Sequence, residues 1–189
     1  MGIKFKKLTP ERMDDFFYYF DHDAFSDHEE WMTCYCLESH LSERENKEYV
    51  QKEKRQSIAR HYIQNGVLTG YLLYDDGKVM GWCNAGDKSG YAPICDNQTF
   101  FTEDPQKQKI KIIYCIDVAP AYRGKGIADL IVDKVLADAK EEGYAYVEGY
   151  PFTDADFAYQ YRGPLHLYEK HGFQMYRHAG WVYIMRKAL

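Results

Sequence analysis

A strand, a turn and a helix meet in the segment VAPAYRGKGIA, residues 118–128. The residues before it are β-branched or aromatic, which favours a strand, and the residues from 127 onward carry apolar side chains at helical spacing. Backbone N–H groups at a helix start point at one spot, and the helix dipole makes that spot favourable for an anion. Gly124 and Gly126 let a phosphate approach the backbone closely. Arg123 and Lys125 add positive charge, so the segment predicts a phosphate site.

The turn differs from two common phosphate-binding loops. A Walker loop has a longer glycine spacing before its lysine and its serine or threonine. The dinucleotide fingerprint has a third glycine three residues after the second, and here Asp129 occupies that place. The segment therefore predicts a phosphate loop of another kind.

Hydrophobic patterning on either side of this segment predicts an α/β chain. Helices are predicted at residues 9–20, 45–64, 127–142 and 164–171, and strands at 67–74, 78–84, 109–118, 144–149, 173–178 and 181–187. Long loops are predicted at 86–108 and 150–162. Helices between strands imply a mixed sheet covered on both faces. The strand–helix–strand order over 109–149 predicts a parallel pair with a right-handed crossover.

Length and composition restrict the class of protein. The chain has 189 residues, which fits a single domain spanning 1–189. Its 24 basic and 29 acidic residues give a net charge of −5, whereas a general nucleic-acid-binding protein shows a basic excess. No uncharged apolar stretch approaches the roughly 18 residues of a membrane helix, and the first residues lack an export signal. Five cysteines, an odd number without such a signal, favour reduced thiols in the cytoplasm.

Two motifs lie in the order expected of one protein family. The first is Arg-x-x-Gly-x-Ala at 123–128, after Val-x-Pro at 118–120, and the second is Tyr-x-x-x-Gly-Phe at 168–173. With the hairpin and the long strand that precede them, they resemble the GNAT superfamily of acyl-CoA-dependent N-acyltransferases, best over residues 60–187. The resemblance implies a mixed, mostly antiparallel central sheet of six to seven strands, with helices on both faces and a splayed parallel strand pair.

The resemblance also implies acetyl-CoA as co-substrate, without a metal. The strand edge at Ile116 and Val118 would bond the pantetheine arm as if it were another strand, and an amide there would stabilise the oxyanion. Tyr168 occupies the position of the acid that protonates the departing thiolate, with a packed aromatic ring as the alternative. The pyrophosphate would be held by backbone amides of Arg123, Gly124, Lys125, Gly126, Ile127 and Ala128.

Transfer to an amine needs a base or a water chain, because a bound ammonium must lose a proton before it attacks. Glu148 and Asp117 end the two strands that should flank the acyl group, and burial there raises the pKa of a carboxylate, which suits a base. Glu148 is the first candidate, with binding of a cationic acceptor or pairing with an arginine such as Arg162 as alternatives. For Asp117 the alternative is stabilisation of the turn before Pro120.

The acceptor is predicted to be a primary amine, and a cationic small molecule is slightly preferred over a protein amine. An aromatic cluster after the strand at 144–149 forms either core or a wall for an aromatic or cationic acceptor. Its members are Tyr150, Phe152, Phe157, Tyr159 and Tyr161. A catalytically weak acyl-CoA-binding regulatory module is the alternative function. A homodimer is left open, since family members are often dimers.

Overall fold

A seven-stranded sheet forms the centre of the protein in a computed structural model, which describes residues 2–91, 106–156 and 159–189. Its strands are β1 (Lys4–Lys7), β2 (Gly70–Asp75), β3 (Lys78–Asp87), β4 (Ile110–Val118), β5 (Tyr146–Gly149), β6 (Gln174–Ala179) and β7 (Val182–Ala188). They lie in the order β1-β2-β3-β4-β5-β7-β6. All neighbours pair antiparallel except β4 and β5, which are parallel. The mixed, mostly antiparallel sheet predicted from the sequence is confirmed.

Helices cover both faces of this sheet. They are α1 (Met13–Tyr18), α2 (Glu43–Glu48), α3 (Lys52–Gln64), α4 (Ile127–Glu141) and α5 (Leu165–Lys170). On one face α1 and α3 contribute Phe16 and Ile63 to a core that includes Trp82. On the other face α4 and α5 contribute Ile131 and Leu167 to a second core. No helix within the described ranges combines the length and apolar character needed to cross a bilayer.

Three elements differ from the sequence-based prediction. Strand β1 was not expected, because Lys-Phe-Lys-Lys is short and charged; it pairs with β2 at the sheet edge. The helix predicted at 45–64 is two helices, since Tyr49 leaves the helical conformation (φ −96°, ψ 67°) and its carbonyl accepts from the buried Arg55. Strand β3 extends to Asp87, into the predicted loop.

The parallel strands separate part-way along their length. Pairing between β4 and β5 joins residues 110–113 to residues 146–149, after which β4 continues to Val118 paired with β3 only. The register between β3 and β4 shifts so that Tyr114 is an extra residue on β4. Such bulges bend a strand and increase its twist. The resulting gap between β4 and β5 is the splayed pair that the resemblance implied.

Candidate active site

A cavity of about 430 Å³ opens beside the gap between β4 and β5. Of the residues assigned to the co-substrate from the sequence, it is lined by Ile116, Val118, Arg123, Gly124, Gly126, Ile127 and Ala128. Its opposite wall is the loop before α5, with Tyr159, Gln160, Tyr161, Gly163 and Pro164. Lys125 is not part of the lining, because its ammonium donates to the carbonyl of Ala121. The cavity therefore brings the strand edge, the glycine turn and the helix start together.

The glycine turn leaves the start of α4 open towards this cavity. Gly124 and Gly126 have φ of +73° and +74°, a region that other residues rarely adopt. Gly126 is the N-cap of α4 and supplies no side chain to cap the first turn. The first N–H groups of a helix have no partner within the helix. Here they can bind an anion with the help of the helix dipole.

The Arg123 side chain stabilises the turn and does not extend into the cavity as an isolated charge. Its Nε donates to the carbonyl of Val118 at 2.9 Å, and its Nη1 donates to the Asp27 carboxylate. These contacts join the turn to the N-terminal region on the other side of the sheet. Binding of an anion by this segment consequently rests mainly on the backbone amides.

Asp117 is a buried carboxylate held by two tyrosines. Its Oδ2 accepts from the hydroxyl of Tyr19 at 3.0 Å and its Oδ1 from the hydroxyl of Tyr159 at 2.6 Å. Burial raises the pKa of Asp117 to about 6, although both hydrogen bonds lower it. Tyr159 lines the cavity. Its hydroxyl therefore connects the cavity to the Asp117 carboxylate, whose pKa is about 6.

Tyr168 is fully buried on α5, beside the same loop. Its hydroxyl donates to the carbonyl oxygen of Arg162, and burial raises its pKa well above the usual value for tyrosine. The ring lies against Gly149 and Gly163, where a Cβ would fall within 2.0 Å and 3.2 Å of ring atoms. The two glycines therefore make room for the ring at the end of β5 and before α5.

Glu148 lies in a buried cluster with two cations. Its Oε1 accepts from Arg186 Nη2 at 2.6 Å, and its Oε2 accepts from Lys88 Nζ at 2.8 Å and from the Tyr150 hydroxyl at 2.7 Å. The carboxylate is completely buried. Each oxygen thus already holds a cation, which does not suit the general base expected from the sequence. The arginine that pairs with Glu148 is Arg186, whereas the sequence suggested Arg162.

Arg162 has no such carboxylate partner in the part of the chain that the structure describes. Its guanidinium is buried and donates from Nη2 to the Tyr114 hydroxyl at 2.6 Å. In the same residue ranges, the nitrogens Nε and Nη1 have no hydrogen-bond partner. Sequence reasoning missed this feature, because a missing partner is visible only once the neighbours from distant segments are in place.

The sequence also matches a known family directly. Residues 5–173 match the sequence model described as the acetyltransferase (GNAT) family. The chain belongs to that family. No protein among curated sequences matches this GNAT chain significantly.

Solved structures share the fold of this GNAT-family protein at low sequence identity. The PaiA N-acetyltransferase of Thermoplasma acidophilum in complex with coenzyme A has a TM-score of 0.58 and 16% identity, with 100% of both chains covered. An acetyltransferase of the GNAT family from Streptococcus pneumoniae has a TM-score of 0.56 and 15% identity, with 100% of this chain and 99% of that chain covered. The NatC complex bound to Gag peptide and CoA has a TM-score of 0.57 and 15% identity, with the same coverage. At these identities the likeness establishes the fold.

Several contacts in this GNAT protein join segments that are far apart in the sequence. Lys88 and Arg186 are 60 and 38 residues from Glu148, so local patterns do not reveal the pairing. Tyr19, which bonds Asp117, is 98 residues away from it. Phe157, from the predicted aromatic cluster, lies outside the described residues. Within the described residues, no three His, Cys, Asp or Glu side chains are grouped as metal ligands would be.

Proposed function

We propose that this protein transfers an acetyl group from acetyl-CoA to a primary amine by direct attack on the thioester. The observation that carries the proposal is the cavity in which the glycine turn, the start of α4 and the edge of β4 beyond its pairing with β5 meet. The turn would hold the pyrophosphate through its N–H groups. The β4 edge at Ile116 and Val118 would bond the pantetheine arm as an added strand.

The reaction requires one proton to leave the amine and one to reach the thiolate. The amine nitrogen attacks the carbonyl carbon, the C–S bond breaks, and the sulfur takes a proton from the proposed acid Tyr168. The geometry favours Asp117 over Glu148 as base, because its pKa of about 6 suits proton uptake near neutral pH. The amine proton would move to the Tyr159 oxygen while the Tyr159 hydroxyl proton moves to Asp117. As the products leave, Asp117 would release its proton to solvent and Tyr168 would take one from solvent. Glu148 would instead hold Lys88 and Arg186 in place.

A pair of charge substitutions tests the phosphate site. Ala128 lines the cavity in the first turn of α4, where an acidic side chain is favourable for the helix. Ala128→Glu should therefore keep the fold while repelling a pyrophosphate. Ala121→Glu is the matched control, since Ala121 is exposed just before the turn and does not line the cavity.

The readout is the melting temperature with and without acetyl-CoA. A ligand that binds the folded state alone raises the melting temperature by mass action. The wild type and Ala121→Glu should show the rise, and Ala128→Glu should lose it. The absence of any rise at saturating acetyl-CoA in the wild type would overturn the proposal.

One observation favours the alternative of a catalytically weak acyl-CoA-binding module. The Ile116 amide is already hydrogen-bonded to the carbonyl of Tyr161, at 2.6 Å, so the strand edge is closed at this point. Release of free thiol from acetyl-CoA over a panel of amines separates the two functions. Binding of acetyl-CoA without thiol release for any amine would support the module.

The cytoplasm is the proposed location of this reaction. Cys34, Cys36, Cys83 and Cys115 are all free, and three of them are buried, which is consistent with a reducing compartment. Fractionation of cells that express the full chain, followed by immunoblotting, checks this location.

A further inference from the structure

The guanidinium of Arg162 is a buried charge that no anion among the described residues matches. The residue is 1% exposed, and no described atom accepts a hydrogen bond from Nε or Nη1. Within the described parts of the chain, no carboxylate lies within ion-pair distance of it; the acid that influences it from further away, Glu38, accepts from the Tyr161 hydroxyl. Leaving buried donors and a buried charge unpaired is costly. An anionic ligand bound at this arginine would supply the missing partner and offset that cost.

Aromatic rings surround this guanidinium. Its central carbon lies 4.1 Å from the ring centroid of Tyr114, 5.1 Å from Trp181, 5.4 Å from Tyr161 and 5.6 Å from Phe152. Cation–π contacts hold the charge in place without using its N–H groups. Phe152 and Tyr161, two members of the aromatic cluster that the sequence offered either as core or as a wall for an acceptor, therefore already contact the protein's own cation. A second cation placed there would be repelled, whereas an anion would be attracted.

A second buried group of charges is linked to Arg162 through Tyr150. It consists of Lys88, Glu148 and Arg186, two cations and one anion. The Tyr150 hydroxyl donates to Glu148; burial and Glu148 raise the pKa of Tyr150, and Arg162 lowers it. The carboxylate of Glu148 is thus engaged by its own partners and does not pair with Arg162.

Arg162 also lies next to the proposed reaction site. Its sequence neighbours Tyr161 and Gly163 line the co-substrate cavity, and its carbonyl accepts from the hydroxyl of Tyr168. Tyr114, which it contacts, is the bulge residue on β4 where the parallel strands separate. Trp181 is 42% exposed and stacks on Phe152, so the aromatic cage reaches the protein surface.

We propose that Arg162, supported by the Tyr114 hydroxyl, binds a carboxylate of the acceptor, so that the acceptor carries both a primary amine and a carboxylate, as amino acids and short peptides do. The proposal rests on the proposed acetyl transfer and names the substrate class of the same site. The Nε–H or an Nη1–H group would donate a charge-assisted hydrogen bond to the carboxylate. The carboxylate would fix the acceptor while its amine faces the thioester.

The test compares amino acids with their amides. Glycine, alanine, leucine and phenylalanine are assayed with acetyl-CoA against the four corresponding amino acid amides, by thiol release. The wild type should use the acids with kcat/KM at least about 10-fold higher. Arg162→Met should abolish this difference, and Arg162→Lys should retain part of it. Arg44→Met, the same change on the exposed surface of α2, should leave the preference unchanged.

A binding measurement separates failure of this inference from failure of the proposed function. The melting temperature is recorded with acetyl-CoA, and separately with N-acetylphenylalanine or its amide, in wild type, Arg162→Met and Tyr114→Phe. The N-acetylated acid should stabilise the wild type more than the amide does, and Arg162→Met should lose that difference. Equal effects of acid and amide in both assays, or a preference that survives in Arg162→Met, would overturn the inference. If acetyl-CoA raises the melting temperature and the N-acetylated acid has no more effect than its amide, the inference about Arg162 is overturned and acetyl-CoA binding still stands.

Discussion

The backbone N–H of Ile116 donates a hydrogen bond to the carbonyl oxygen of Tyr161, with 2.6 Å between nitrogen and oxygen. Ile116 lies on the part of β4 beyond its pairing with β5, and Tyr161 lies on the loop that leads to α5. Because the amide has a single proton, a pantetheine group bonding to Ile116 must displace Tyr161. The loop at 159–163 occupies the position where strand-like pairing with the co-substrate is proposed.

Acetyl-CoA is expected to loosen this loop. The Tyr161 N–H donates to Tyr159 and the Gly163 N–H to Gln160, and both bonds depend on the present loop position. Hydrogen–deuterium exchange at 159–163 should become faster with acetyl-CoA, while the Ile116 amide stays protected by its new partner. Amides of the β2–β3 hairpin serve as the internal control. A rise in melting temperature with unchanged exchange in the loop would show that the co-substrate leaves the Ile116–Tyr161 bond in place.

Local sequence signals predicted the elements that surround the co-substrate cavity. The glycine turn has the positive φ angles and the helix start expected from Gly124 and Gly126, and β2 and β3 form the hairpin expected from the two short strands at 67–74 and 78–84. Such features depend on residues close together in the chain. Strand β1 was missed because only Phe5 of its four residues packs against the core, so its alternation is too short to be recognised.

The chemistry of the candidate site was less predictable, because it depends on contacts between distant segments. The sequence placed Glu148 and Asp117 at strand ends. It did not show which of the two carboxylates would be paired with cations. Glu148 meets two cations from β7 and from the turn after β3, whereas Asp117 meets two tyrosine hydroxyls. This difference reverses the order of preference for the base. The same holds for Arg162, whose lack of an anion among residues 2–91, 106–156 and 159–189 is a property of the packed structure.

Asp117 should make the stability of the protein depend on pH in the acidic range. Its pKa is 3.8 in the unfolded reference and about 6 in the folded protein, so the folded state binds more protons between these values. The contribution is therefore fully present below about pH 4 and is lost as pH rises through about pH 6. The loss is about 3 kcal/mol, at about 1.4 kcal/mol per pKa unit. Urea unfolding from pH 4 to 7 should show wild type losing this much relative to Asp117→Asn.

The same titration should appear in catalysis if Asp117 is the base. The value of kcat/KM should rise with pH through about 6, because the ionised carboxylate is the active form. Asp117→Asn should remove this limb and lower the rate roughly 100-fold. Asp14→Asn, a change at an exposed position of α1, is the control and should keep the profile. A limb near pH 6 that persists in Asp117→Asn would assign the titration to another group.

Glu148→Gln should reduce stability strongly, because it leaves Lys88 and Arg186 buried without an anion. Breaking a buried ion pair from one side costs about 3–5 kcal/mol. Glu48 offers an exposed control: it pairs with Arg44 on α2, and the two side chains are 55% and 88% exposed. Glu48→Gln should therefore cost no more than about 1 kcal/mol, measured by urea unfolding at pH 7. A Glu148→Gln variant with wild-type stability and no thiol release would instead assign the base to Glu148.

Tyr168→Phe separates an acid from a packed aromatic ring. The ring should stay in place against Gly149 and Gly163, since only the hydroxyl is removed. Loss of the hydrogen bond to the Arg162 carbonyl should lower the free energy of unfolding by about 1 kcal/mol. If Tyr168 protonates the thiolate, kcat should fall roughly 100-fold while the KM for acetyl-CoA changes little, because the hydroxyl acts on the leaving group. Steady-state thiol release, read together with the melting temperature, checks both parts. An unchanged kcat with the same small loss of stability would leave Tyr168 a packing residue and would move the proton donor to water.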